Sequence, residues 1–518
     1  MILGERAPGR GAGTMTIDAV FRSPARRHPD ALALVDPIDR ENFTDGKPRR
    51  LTYAQSDRAV TAIAGRLRDM GLPADAVVGV QLPNIAENIL AVLGILRAGM
   101  IAAPLPLLWR RADAVAALAR IGAKALITCG HVGAFNHAQC AMSIAADVFS
   151  IRYICAFGSD LPDGVVPLDD VLAEKSAPPP ASGRELHDNA TAHVAAVTFD
   201  VTENGVVPVA RNHAELFAGG LAVIAESAIA EGSIILSAIA PSSFAGICMT
   251  LLPWLLCGGT LVLHHPFDAA VFARQRRQER CEALVLPGPL GLRLADAAAF
   301  ALDGPACVIA AWRAPERLAD SAAWREPNTF LVDVSIFGEA ALVASRRGAD
   351  GKPAPLSLGP VAAPRGSTSA TAVAELTRTD AGTLAVRGPM VPHHSFPPGI
   401  ERSGLPYFRM GPRGLVDTGY PCRADPASRV VVLTGSPSGI VSVGGYRFSQ
   451  RELREVVSRI DQGAKLAALP YPLLGQRLIG NAADRKAVVA ALAAAGINPL
   501  AVAAFTDRSR RAIPAAAA

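Results

Sequence analysis

The chain has no long lysine/arginine block, no Cys-x-x-Cys pair, no leading apolar segment and few aromatic residues. Each shortage removes a class of protein. A net charge of +5 is small for 518 residues, so a nucleic-acid or anionic-membrane surface has no electrostatic footprint and neither partner is expected. The eight cysteines, at positions 129, 140, 155, 248, 257, 281, 307 and 422, stand apart, and no histidine lies at zinc-finger spacing. They read as reduced, mostly buried thiols, with no metal set among them. Residues 1–13 are polar and glycine-rich where a secretory signal would be apolar, which makes the cytoplasm the expected compartment. Two stretches, 88–108 and 246–263, approach membrane-span length, but Arg97 interrupts the first, and Pro253 with Gly258 and Gly259 the second. A buried helix followed by a strand is expected for each, and membrane association is not. There is no Gly-x-Ser-x-Gly elbow, no Walker phosphate loop and no internal repeat.

What is present is aliphatic. Half the residues are hydrophobic and only 5% are aromatic, so burial must come from Ala, Val, Leu and Ile in layered helices and strands, and the length calls for more than one lobe. Periodicity predicts helices over 53–70, 88–98, 112–121 and 212–226. Strands are expected over 76–82, 125–129, 234–240, 260–263, 283–286 and 330–334. The proline-rich segment 177–187 reads as a surface connection. After residue 354 short strands at 382–388, 414–419 and 429–434 suggest a β-rich subdomain, and a Gly/Ser turn at 435–439 precedes a compact tail. The expected class is therefore α/β: a large layered N-terminal domain over 15–434 carrying the β-rich subdomain, a hinge at 435–439, and a small α+β domain over 440–518.

Several segments occur in a telling order: Leu51-Thr52-Tyr53, Asn84-Ile85-Ala86-Glu87-Asn88, Arg97-Ala98-Gly99-Met100, the strand-and-turn 382–389, Asp417-Thr418-Gly419, and Gly444-Gly445-Tyr446-Arg447 followed by Glu452-Leu453. In that order they resemble the adenylate-forming superfamily of AMP-forming acyl-CoA synthetases, over nearly the whole chain. The resemblance implies a small C-terminal domain rotating between two half-reactions: ATP and a carboxylic acid give an acyl-adenylate, then CoA displaces AMP. It implies ATP with magnesium and CoA as cofactors, and a small carboxylic acid or acyl-CoA as partner.

The residues at the implied stations depart from the family. At the phosphate loop, residues 199–208, only Thr202 and Gly205 keep the expected character; no lysine is present, and Asp200 and Glu203 would repel a triphosphate by ~4 kcal/mol per unit pair at 4 Å. Arg211 reads as a displaced cation or as an exposed arginine at a helix start. Ala311-Trp312-Arg313-Ala314-Pro315 occupies the adenine-side loop, where the family has small residues. The aromatic-Gly signature survives as Phe337-Gly338, but the metal-binding glutamate position reads Ala341. Glu339 is close enough to substitute for it, and otherwise reads as a solvated turn residue. Thr418 and Gly419 keep the ribose signature, while Tyr420 replaces the aspartate that accepts from both ribose hydroxyls, bonds worth ~1.5–3 kcal/mol each. Phe244 is expected to border an acyl or CoA pocket or to pack in the core, and Gly444 and Gly445 to lie beside that pocket. No lysine follows Lys486, and the run Arg508, Ser509, Arg510, Arg511 stands where the adenylation lysine belongs. The paired histidines His264-His265 and His393-His394 read as loop residues.

Three functional expectations follow. The first is a diverged homologue that binds an acyl or CoA-type ligand with weak or absent adenylation. The second is an active fatty- or carboxylic-acid–CoA ligase in which Arg211, Glu339 and Arg508 to Arg511 have taken over lost roles. The third is a non-catalytic subunit with a stable protein partner.

Overall fold

The computed structural model describes residues 15–172, 190–300, 303–362 and 372–506. The proline-rich connection and Arg508 to Arg511 lie outside these residues.

Two parallel-rich sheets carry the first 350 residues or so. The larger runs Ala341–Arg346, Phe330–Phe337, Cys307–Trp312, Ala283–Pro287, Ile234–Ser237, Thr260–Leu263, Leu32–Val35, Arg50–Thr52, with antiparallel strands only at its two edges. The second runs Gly205–Asn212, Val194–Thr202, Ile101–Pro104, Val77–Val80, Ala125–Cys129, Tyr153–Phe157, Val166–Pro167. Their central strands are buried throughout, as strands covered on both faces must be. The helices Tyr53–Asp69 and Ala86–Arg97 share one core with strands of both sheets. Helix 53–69 starts on a Thr52/Gln55 capping box, and the helix His213–Glu226 on an Asn212/Glu215 box, so local sequence sets where each begins.

An antiparallel six-stranded sheet follows, spanning Leu356–Ser357 to Val430–Leu433. A four-stranded antiparallel sheet then forms from Tyr446–Ser449, Ile440–Val443, Gly475–Asn481 and Lys465–Tyr471, with a core of its own built on Val441, Val443, Phe448, Leu478, Leu492 and Phe505. This is the α/β class with a small α+β terminal unit that composition and periodicity predict.

The main difference lies in the segment expected to form a phosphate loop. Residues 194–212 form a continuous hairpin in which Thr202 pairs with Gly205, leaving a turn of only Glu203 and Asn204. Val and Ala along both strands are buried on both faces over 195–199 and 205–211, and the ladder extends to the tip of the hairpin. Smaller shifts are that the strand from Ile234 stops at Ser237, that from Phe330 runs on to Phe337, and Val416–Ala424 starts later and extends further than 414–419. All eight cysteines are free, and all but Cys140 are buried.

Candidate functional site

A cavity of about 590 Å³ opens between the C-terminal ends of the parallel strands and the small terminal unit. Strand ends at Ser237, Pro287 and Trp312 deliver one wall, the 106–109 turn and the hairpin strand at Phe199 a second, and the loops at 444–447 and 471–475 the roof. Crevices at the carboxyl edge of a parallel sheet are where open α/β folds place ligands, because the loops there diverge.

The hairpin and the roof are tied together. Asp200 accepts from Nη1 of Arg447, from the backbone N–H of Glu339 (3.1 Å) and from that of Val201 (2.8 Å). Gly338 sits at φ +57, and a Cβ there would overlap the Asp200 carboxylate, so this close approach requires glycine. Further out, the Leu108 N–H donates to the Tyr446 hydroxyl (3.2 Å), Ser449 Oγ to the Glu203 carbonyl (3.1 Å), Ser436 Oγ to Glu316 (2.6 Å), and Arg317 to the carbonyls of Tyr471 (2.9 Å) and Gly475.

Glu339 is buried and is not the solvated turn residue of one reading. Its Oε2 accepts from the Phe244 N–H at 2.7 Å, and Oε1 lies 4.0 Å from Arg313. Burial pushes its carboxyl above the usual carboxylate range, against the opposing pull of Arg313. Arg313 in turn donates to Ser243 Oγ.

Arg211 is neither in the cavity nor exposed. At 1% exposure it lies in the strand Gly205–Asn212, where both Nη atoms donate to carbonyls (Met390, Glu339 and, at 2.9 Å, Ala340), and its guanidinium stacks on Phe244, 3.6 Å from the ring centroid. It is thus spent on fastening the turn that holds Glu339. Of the residues expected to handle ligand, Glu339, Gly444 and Gly445 line the cavity, as do Asp200, Trp312 and Arg313 from the departures; Thr202, Gly205, Phe244, Phe337, Gly338, Thr418 and Gly419 do not. Thr202 Oγ1 closes the hairpin turn on the Gly205 carbonyl (3.0 Å), and Thr418 Oγ1 bonds the Leu384 carbonyl (2.6 Å). Tyr420 is buried edge-on against Phe337, with ring centroids 5.6 Å apart. Trp312 donates to Asp333 at 2.7 Å, and its indole fills the space that a Cβ on Gly288 would need.

The paired histidines lie in loops, as expected, and three of them are fixed by burial or by partners. His264 bonds Gln275 (2.9 Å) through Nδ1 and accepts the Asp268 N–H (3.3 Å) through Nε2, while burial holds His265 neutral, its pKa lowered to about 4. His393 pairs with Glu215 at 2.7 Å, which raises its pKa. Sequence reading missed the partnership of Asp200 with Arg447. The available signal was Asp200, an acid out of character for a phosphate site.

The fold and the interlobe cavity define a two-lobed adenylate-forming scaffold. Residues 21–191, about a third of the chain, match the family model described as AMP-binding enzyme. It is similar to the amide bond synthetase McbA from Marinactinospora thermotolerans (18% identity, TM-score 0.70, 94% of each chain). It is also similar to apo MbtA of Mycobacterium smegmatis (21% identity, TM-score 0.64, 94% of this chain and 89% of that one). At these identities the likeness is one of fold. In sequence, it is 33% identical over 178 residues to long-chain fatty acid transport protein 1 of Bos taurus, covering 33% of this chain and 26% of that protein. It is 31% identical over 159 residues to the salicyl-AMP ligase / salicyl-S-ArCP synthetase of Mycobacterium tuberculosis, covering 30% and 27%. The matches thus span about a quarter of those curated relatives.

Among the described residues no helix is long and apolar enough to cross a membrane.

Proposed function

We propose that this protein is a diverged adenylate-forming homologue that binds a carboxylic acid or acyl-type ligand in the interlobe cavity without adenylating it. The observation that carries this reading is the hairpin. A two-residue turn whose strands pair up to Thr202 and Gly205 offers no loop of free N–H groups to surround phosphates.

The other stations support it. Magnesium-bound ATP needs unpaired cations, a ribose acceptor and a slot for the purine. Here Arg447 is paired with Asp200, Arg211 is enclosed by carbonyls, Tyr420 is packed on Phe337, and Trp312 occupies the space beside Gly288. These residues do not fit the nucleotide. What the cavity retains is an apolar wall (Leu82, Trp109, Phe199, Ile239, Leu290) and a few convergent polar groups, the usual make-up of a small-molecule site. The ties between hairpin and roof support a terminal unit over 440–518 that rests on the large domain, with 435–439 as the connection. A cytoplasmic role as a binding or regulatory protein is consistent with this reading.

Calorimetric titration of the purified chain with Mg-ATP, AMP and CoA, followed by pyrophosphate exchange with a mixed acid panel, tests the proposal. No ATP binding and no exchange are expected. Tight Mg-ATP binding with exchange would return the chain to the working ligases.

A further inference from the structure

The charges inside the cavity do not balance. Asp200 is neutralised by Arg447, Arg317 is held by two carbonyls, and His265 is neutral. Arg293, Asp296 and Asp320 line the cavity but are exposed, so solvent screens them. That leaves Arg313 and Glu339. Their closest approach, 4.0 Å, is too long for a hydrogen bond, and one carboxylate oxygen of Glu339 is already engaged by the Phe244 N–H. Among the described residues the only hydrogen bond from Arg313 is to Ser243 Oγ, so its Nε and Nη1 have none. Its side chain is 26% exposed, at a point where the Cδ packs against Gly445 in the roof. A guanidinium with two uncommitted donor atoms, held by packing at one side of a cavity whose walls are mainly apolar, is a site for a planar anion.

We infer that Arg313 anchors the carboxylate of an amphipathic monocarboxylic acid whose apolar body lies along Trp109, Phe199 and Ile239. The inference rests on the ligand-binding reading above. A carboxylate suits the guanidinium edge that Ser243 leaves open, formed by the second Nη2 hydrogen together with Nε or with Nη1. Ser243 fixes the guanidinium plane from the other side. Burial raises the Glu339 pKa, which weakens its repulsion of a bound acid. The role is one of specificity: Arg313 distinguishes an acid from its uncharged counterpart and performs no chemistry.

The test is a calorimetric titration of the full chain with octanoate, decanoate and benzoate, each beside its primary amide. It uses the wild type, Arg313→Gln, Arg313→Lys, Ser243→Ala and, as a rim control, Arg293→Gln. At least one acid should bind about 10- to 100-fold more tightly than its amide, the range of a charge-assisted pair. Arg313→Gln should erase that preference, Arg313→Lys should keep part of it, Ser243→Ala should reduce it a few-fold, and Arg293→Gln should leave it intact. Equal binding of acid and amide, no binding of any acid, or a preference that survives Arg313→Gln would overturn the assignment. Should Arg313→Gln fail to fold, the ratio measured on Ser243→Ala decides, an unchanged ratio counting against. Pyrophosphate exchange in the same preparations separates the two ideas. Exchange with an Arg313-dependent acid preference removes the non-adenylating reading and keeps the anchor; silence with no preference does the reverse.

Discussion

Among the described residues, two buried clusters of arginines and carboxylates are finished differently. In the first, Arg40 donates to Asp36 (2.6 Å), to both oxygens of Glu87 (2.8 and 2.7 Å) and to the Asp45 carbonyl (3.0 Å). Arg49 adds a bond to Glu87 (3.1 Å), and the Ala86 N–H one to Asp36 (2.7 Å). In the second, the cavity group of Asp200, Arg447, Glu339 and Arg313, the Nε of Arg447 is buried without a partner and Arg313 keeps two donor atoms uncommitted. Saturation marks the first cluster as part of the framework. The open valences of the second, where two lobes meet over a cavity, mark it as a place built for something else.

The sharpest way to break this comparison is to remove the centre of the framework cluster. Arg40→Met should cost about 3–5 kcal/mol in urea unfolding, because buried Asp36 loses its cation and Glu87 keeps only Arg49. A loss below 1 kcal/mol would show that the cluster is not the support its geometry implies. Tyr420→Asp comes next. It restores the family's ribose acceptor in sequence, but at a position only 1% exposed and packed on Phe337. The expected result is about 3 kcal/mol of lost stability with no gain in ATP binding; nucleotide binding by this variant would contradict the non-adenylating reading. Arg447→Gln should have a smaller effect, since Asp200 keeps two backbone donors. About 1 kcal/mol is expected, seen as roughly fivefold faster protease cleavage within 435–439, and unchanged cleavage would mean the pair does not hold the roof.

The sequence made the framework legible and left the site half hidden, for one physical reason. Periodic burial repeats along an element, so the helix Tyr53–Asp69 and strands Ala125–Cys129 and Thr260–Leu263 announce themselves within a residue or two. Family motifs fix order along the chain, which pointed to the scaffold and singled out Glu339, Gly444 and Gly445. What they could not supply is which side chain reaches which. Arg211 has the charge expected of a phosphate ligand but points into carbonyls, whereas Arg313, met only as an intruder in a small-residue loop, faces the cavity. The hairpin was misread because a glycine three residues after a threonine fits a phosphate loop and a tight β-turn equally well; the valines flanking it were the better guide.

The finest test concerns Asp113, in the first turn of the helix Arg111–Ile121, on the seam where the terminal unit rests. The Gly496 carbonyl accepts the Ala112 N–H beside it at 3.1 Å. Burial, and to a lesser degree repulsion from Glu452 across the seam, raise the Asp113 pKa to about 7, although the Arg110 N–H favours the charged form. An unfolded aspartate titrates near 3.9, about three units lower. Between roughly pH 4 and pH 7 the folded chain therefore holds the extra proton, and stability falls as pH rises through that window, then levels off above it. Asp113→Asn keeps an acceptor for the Arg110 N–H while removing the charge. It should stabilise the protein by about 1 kcal/mol at pH 8, after allowance for partial solvent access, and by nothing measurable at pH 4. Urea midpoints at the two values decide the matter. A gain of equal size at both would place the effect in packing, and the seam would then belong with the saturated framework and not with the strained group around the cavity.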